Sequence, residues 1–153
     1  MRGRPQARVS VASLTTPTLE RLFAYGTLMR GFVRRPLLGP GAVLEGRGRI
    51  RGSLYDFGDY PGVVLDDGGW VVGELYRIGD LAARLPALDR EEGYDPANEG
   101  RSLYARPRVP VFLEDGSSRE AWLYTYNGPP GRGPRIPSGD WRAHLAARGA
   151  RSG

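Results

Sequence analysis

The chain of 153 residues contains no cysteine. That absence removes disulfides, thiolate metal sites and a cysteine nucleophile together. It has a single histidine, His144, too few for a histidine-built metal site. One histidine still permits a Ser-His-Asp triad, yet no Gly-x-Ser-x-Gly turn is present. Lysine is missing as well: all 22 basic side chains are arginine. Neither Schiff-base nor P-loop chemistry is possible without it. No apolar run approaches the roughly 18 residues that cross a bilayer, and no internal repeat is visible. Residues 1–20 lack the apolar centre of a signal peptide. They read as a flexible N-terminal extension, on a protein expected in the cytoplasm and away from membranes.

What is present fits one domain over residues 21–153. Apolar residues make up 40% of the chain, enough for one compact core, and 23 glycines and 13 prolines point to short elements joined by tight turns. The net charge of +5 has two readings: coding bias in a GC-rich genome, or an anionic partner such as nucleic acid. The arginines are scattered, with small groups only at Arg34/Arg35 and Arg47/Arg49/Arg51. No basic run or recognition-helix pattern appears, so no nucleic-acid partner is expected.

Leu22 to Tyr25 is a short apolar run that stops at Gly26 and reads as a buried strand ending in a turn. Residues 32–38 predict one helical turn. From Ala42 to Asp56 the chain reads as extended, with glycines at 46, 48 and 52 marking bends or bulges. Val63 to Leu65 and Trp70 to Ile78 read as strands. Asp80 is placed to cap a helix running to about Glu92 and stopping at Gly93. Pro86 either kinks that helix or opens a second one. Strands over 104–113 and 119–126, a Gly/Pro-rich loop over 127–137 and a helix over 141–148 complete six or seven strands, mostly β with a few short helices.

Three constellations bear on chemistry. On a helix starting at Leu81, Leu85 lies at about 40°, Leu88 at about −20° and Glu92 at about 20°, while Glu91 and Asp89 fall about 80° to either side. Glu92 therefore continues the apolar stripe. A carboxylate there is costly unless paired or used, and desolvation raises its pKa toward that of a working general base. The alternative is a helix-end glutamate that frays outward or pairs with an arginine. Second, a glycine directly after a buried strand lets a ligand approach the backbone at Tyr25-Gly26-Thr27-Leu28, and successive N–H groups there form an anion-binding concavity; the alternative is an ordinary turn. On the functional reading a side chain at Gly26 fills the anion site and harms ligand binding more than folding. Third, Tyr60, Tyr94, Tyr104, Tyr124 and Tyr126 gather at strand ends, either lining a polar cavity or filling a barrel. His144 reads as a surface residue.

Several motifs now stand in order. Phe23-Ala24-Tyr25-Gly26-Thr27-Leu28-Met29 resembles the Tyr-Gly-Ser/Thr-Leu signature of the γ-glutamylcyclotransferase-like family. Asp59-Tyr60-Pro61-Gly62 and Val72-Gly73-Glu74-Leu75-Tyr76 resemble its middle strands. Leu88-Asp89-Arg90-Glu91-Glu92-Gly93-Tyr94 is similar to its Leu-Asp-x-x-Glu-Gly-Tyr signature. Tyr104-x-Arg106, Ala121 to Tyr126 and Ser138-Gly139-Asp140-Trp141 resemble the remainder, over residues 21–142 in all. The set is closest to the AIG2-like branch.

The resemblance implies an α+β, mostly β fold: a small mixed barrel with a central cavity and a few short helices. It implies Glu92 as the catalytic acid/base, and substrate binding by Tyr25, Gly26, Thr27 and Leu28. Tyr60, Tyr94, Tyr104 and Tyr124 are expected around the same cavity. The implied reaction releases 5-oxoproline and an amine from a small γ-glutamyl compound, without metal or cofactor. A non-catalytic ligand-binding domain of the same fold is the alternative.

Overall fold

The computed structural model describes residues 19–129 and 131–152. The expected extension falls, over residues 1–18, outside the described residues; the carbonyl of Glu20 already accepts a 2.7 Å bond from Ile78 N–H. Strands β1 (Arg21–Ala24), β5 (Trp70–Ile78), β2 (Ala42–Arg51), β7 (Arg108–Leu113) and β8 (Ser118–Trp122) form a closed barrel in that order. The β1–β8 closure is parallel, pairing Leu22 with Trp122, and the other four contacts are antiparallel. The barrel is thus mixed. A second sheet pairs β10 (Arg135–Ile136), β3 (Ser53–Asp56) and β4 (Pro61–Val64), and β6 (Tyr104–Ala105) pairs β9 (Thr125–Tyr126).

The glycines at 46 and 52 mark two different events. The register against β5 slips between Leu44 and Gly46, a bulge, and the chain leaves the barrel at Gly52 to enter the second sheet. The strands expected over 104–113 and 119–126 are each broken, at Arg106-Pro107 and at Leu123-Tyr124. The breaks let the short β6–β9 pair turn away from the barrel wall, so ten strands stand where six or seven were expected among the described residues.

Val71, Gly73 and Leu75 point inward on β5 and meet Leu22, Phe23, Ile50, Val111 and Ala121 in one core. Fully burying each large aliphatic side chain contributes about 1.5–3 kcal/mol. Helix α1 (Leu81–Glu92) closes one end through Leu81 and Leu88. It runs unbroken through Pro86, whose side is exposed, so there is no restart. Asp80 begins it without a side-chain cap; its carboxylate pairs instead with Arg84 at 2.9 Å. Gly93 ends it at φ 75°, the left-handed conformation that glycine adopts without a Cβ clash. Tyr94 N–H then turns back to the carbonyl of Asp89 at 2.8 Å.

Helix α2 (Trp141–Ser152) is longer than expected. Asp140 caps it, accepting from Ala143 N–H at 3.0 Å, and Trp141 is buried beneath it. His144 is not a free surface residue. Its Nε2 lies 2.7 Å from Asp56 Oδ2, which also accepts from Arg148 at 3.0 Å. Burial pushes the Asp56 carboxyl up, but its bonds to His144, Gly58 N–H and Arg148 hold it below the ordinary range. The pair ties the last helix to β3.

Candidate functional site

Strand β1 delivers the turn Tyr25-Gly26-Thr27-Leu28 to the barrel end where α1 finishes. Met29 N–H donates to Gly26 O at 3.0 Å and closes the turn. The chain beyond is pinned by Glu74 of β5, which accepts from Arg30 N–H at 2.8 Å, from Tyr76 OH at 2.7 Å and from Arg142 at 3.2 Å. No acceptor among the described residues pairs with the N–H groups of Gly26, Thr27 or Leu28. Gly26 itself is required by a close approach: a Cβ there would lie 2.7 Å from Cγ of Pro61. A side chain at Gly26 would therefore meet the ring of Pro61, so it would strain the fold as well as the expected anion site.

Glu92 enters from the last turn of α1. Its side chain is 13% exposed, and Oε2 lies 2.9 Å from Nη1 of Arg34. Burial raises its carboxyl above the usual range; the Arg34 charge and hydrogen bond pull it back, and Glu91 pushes it further up. Both sequence readings of this residue thus hold in part, since it is mostly buried and it is paired. Glu91 is exposed, as its place on the helix implies.

One turn earlier, Asp89 is the buried anchor of this helix end, although its angle put it off the stripe. Arg106 grips it through two bonds, at 2.8 and 3.2 Å, and Tyr124 OH donates to it at 2.7 Å. Tyr25 OH donates in turn to the carbonyl of Tyr124 at 2.6 Å. This chain of bonds fixes β1, the β8–β9 connection and the end of α1 against one another. Burial first, and then the Asp89 carboxylate, push the Tyr124 hydroxyl well up. Burial likewise raises Tyr25 and Tyr104, with the neighbouring Glu92 charge adding to both.

Glu92 and the turn line a single cleft. Gly26, Thr27 and Leu28 line it with Glu92 and Arg34, and Phe23, Ala24, Tyr25, Tyr60, Pro61 and Tyr124 complete the lining. The space open to a water molecule inside it is about 20 Å³, room for about one water. Two expected residues lie elsewhere. Tyr104 sits behind the wall, its OH donating to Pro61 O at 3.1 Å. Tyr94 faces a separate groove on the far side of the helix end, and its OH donates to Glu99 at 2.6 Å. The spacing of two tyrosines from Glu92 in sequence did not encode which side of the backbone each would take. Arg132, from the Gly/Pro-rich loop, donates to Tyr60 OH and stacks 4.5 Å from the Phe57 ring.

Arg34, the Asp89–Arg106 pair and Pro61 were not singled out by the sequence. The only signal for Arg34 was its place in a two-arginine group, and for Arg106 its place two residues after Tyr104. No group of three or more His, Asp or Glu among the described residues converges as a metal site. No helix among them is long and apolar enough to cross a membrane.

Solved structures share this fold. YkqA from Bacillus subtilis superposes with a TM-score of 0.68 at 27% identity, over 87% of this chain but 43% of YkqA. This chain thus spans less than half the length of that protein. An uncharacterised protein from Pyrococcus horikoshii gives 0.60 at 25% identity, covering 85% of this chain and 96% of the other. An AIG2-like protein from Mus musculus gives 0.61 at 24% identity, covering 78% and 86%. No curated protein sequence matches. The profile of the family described as "Gamma-glutamyl cyclotransferase, AIG2-like" matches residues 22–143. A closed mixed barrel, the glycine turn after its first strand and a family match over most of its length together establish that the chain belongs to the gamma-glutamyl cyclotransferase, AIG2-like family.

Proposed function

We propose that the chain is a γ-glutamyl cyclotransferase acting on a γ-glutamyl amine or peptide, with Glu92 as general acid/base. The observation that carries this is the shared cleft: a mostly buried carboxylate with raised proton affinity shares it with a turn whose Gly26, Thr27 and Leu28 N–H groups have no acceptor among the described residues. In the reaction the α-amine nitrogen attacks the γ-carbonyl carbon of the same molecule. The new nitrogen–carbon bond closes the five-membered lactam, 5-oxoproline, and the original amide bond breaks. The attacking ammonium gives up two protons. One passes through Glu92 to the leaving amine and the other exchanges through solvent, so the carboxylate is regenerated. Folding the substrate into a near-attack pose supplies much of the rate, and the turn N–H groups hold an anionic group of the substrate. No metal or cofactor takes part.

Release of 5-oxoproline from a panel of γ-glutamyl amines and peptides tests the reading. Turnover of at least one compound is expected. Binding of such compounds with no turnover would make the protein a non-catalytic ligand-binding domain instead. The same reading places the protein in the cytoplasm.

A further inference from the structure

Arg34 has no role in the reaction above, yet it is the only cation bonded to Glu92 among the described residues. Its backbone N–H donates to Thr27 O at 2.9 Å, so its Cα is fixed on the turn. Its side chain crosses the cleft to Glu92. The guanidinium therefore stands between the two features that a substrate must bridge. Building on the cyclotransferase reading, we propose that Arg34 is the specificity-determining residue for a free α-carboxylate on the γ-glutamyl substrate. In the free protein it fills the place of that carboxylate and holds Glu92. The substrate draws the guanidinium from Glu92 to its own carboxylate and leaves the base free.

Space supports this. Small-ligand pockets typically hold about 300–1,000 Å³, whereas the cleft offers about 20 Å³. Something must move. Leu28 belongs to the core and Pro61 is buried, while the Arg34 side chain is 32% exposed and can swing on its long stem. Chemistry supports it too. A guanidinium carries five donors in a planar fork suited to a carboxylate. Only one of them, on Nη1, is engaged among the described residues. A substrate carboxylate beside Glu92 would meet like charge, and Arg34 is the cation placed to relieve it. The neighbouring Arg35 is committed elsewhere, stacked 4.6 Å above the ring of Tyr76.

The same contact governs how readily Glu92 accepts a proton. The groups facing it are Arg34 from the loop, Glu91 on its own helix, Tyr25 from the turn, Tyr104 of β6 and Tyr124 between β8 and β9. Arg34 alone among them pulls its proton affinity down. Moving the guanidinium to the substrate therefore strengthens the base at the moment it is needed.

The test is a cycle of two ligands and three proteins. Binding of 5-oxoproline and of its amide, 5-oxoprolinamide, is measured by calorimetry on the wild type, Arg34→Gln and Arg34→Lys. Hydrogen bonds to a charged group correspond to about 10- to 100-fold in affinity. The wild type should prefer the acid by more than that factor, Arg34→Gln should lose about that factor of the preference and keep the share held by the turn N–H groups, and Arg34→Lys should lose less. An unchanged preference in Arg34→Gln, or no binding of either ligand to the wild type, overturns the proposal. Where a substrate is turned over, Arg34→Gln should also shift the acid limb of the kcat/KM profile to higher pH. A limb that stays in place counts against the proposal. Absence of turnover on every substrate sinks the cyclotransferase reading alone, because the binding cycle still decides the role of Arg34.

Discussion

Glu91 and Glu92 are chemically identical neighbours, and the helix separates them. Glu92 is mostly buried and paired with Arg34, and Glu91 is exposed. Glu92→Gln keeps the shape but cannot take a proton, so we expect at least about a hundredfold loss of 5-oxoproline formation, the lower end for removing general acid/base catalysis. Glu91→Gln should leave the rate and the stability within error of the wild type. Equal activity in the two variants would remove Glu92 from the mechanism. Stability carries a second signature. The folded pKa of Glu92 is raised, so the folded protein holds this proton to higher pH than the unfolded chain. The stabilisation is fully present below the unfolded pKa and is lost as pH rises through the folded one. Glu92→Gln removes that loss, so its stability relative to wild type should rise from pH 4 to pH 7 in denaturant titrations. A relative stability that falls over that range would contradict the raised pKa.

Gly26 is the other position where one atom decides. A valine there must displace the Pro61 ring from 2.7 Å. Overpacking of this kind costs about 1–3 kcal/mol, so Gly26→Val should lower the denaturation midpoint as well as ligand binding. Removing the ring in Gly26→Val/Pro61→Ala should recover part of the loss. Additive losses in the double variant would show that the clash is not the cause.

At the scale of elements, the end of α1 is held by charge rather than by apolar contact alone. Asp89 is 4% exposed and Arg106 is gripped against it with 12% of its side chain exposed. Breaking a buried pair by removing one partner costs about 3–5 kcal/mol, because the other charge stays behind. We expect Asp89→Ala to lose stability in that range. The same change frees Tyr124 and loosens the last helical turn, so activity should fall even where folding persists. A variant as stable as the wild type would show that Arg106 escapes to solvent. Asp56 does a similar task for α2, through His144 and Arg148.

Over the whole molecule, many of the described arginines are paired or stacked. Arg21, Arg34, Arg47, Arg84, Arg106, Arg108, Arg142 and Arg148 each meet a carboxylate. Arg49 and Arg51 lie 4.2 and 4.7 Å from the ring of Trp70. We expect no binding to DNA or RNA tighter than the roughly micromolar non-specific range at physiological salt. A tighter complex in an electrophoretic shift assay would contradict this.

Local periodicity and turn chemistry were enough to place α1, its stop at Gly93 and the long strand Trp70–Ile78, and to put Glu92 on the apolar stripe while leaving its burial or pairing open, because each is dictated by residues within one or two turns of the chain. The order of the motifs carried the family and with it the barrel. What the sequence alone did not determine depends on partners far along the chain. Arg34 meets Glu92 across 58 residues and Tyr124 meets Asp89 across 35. His144 meets Asp56 across 88. The sides taken by Tyr94 and Tyr104, and the contact of Gly26 with Pro61, are set by how the strands close. Strand pairing fixes those distances, and no periodicity within a single element encodes them; only the closed barrel brings the arginine, the glutamate and the turn into one cleft.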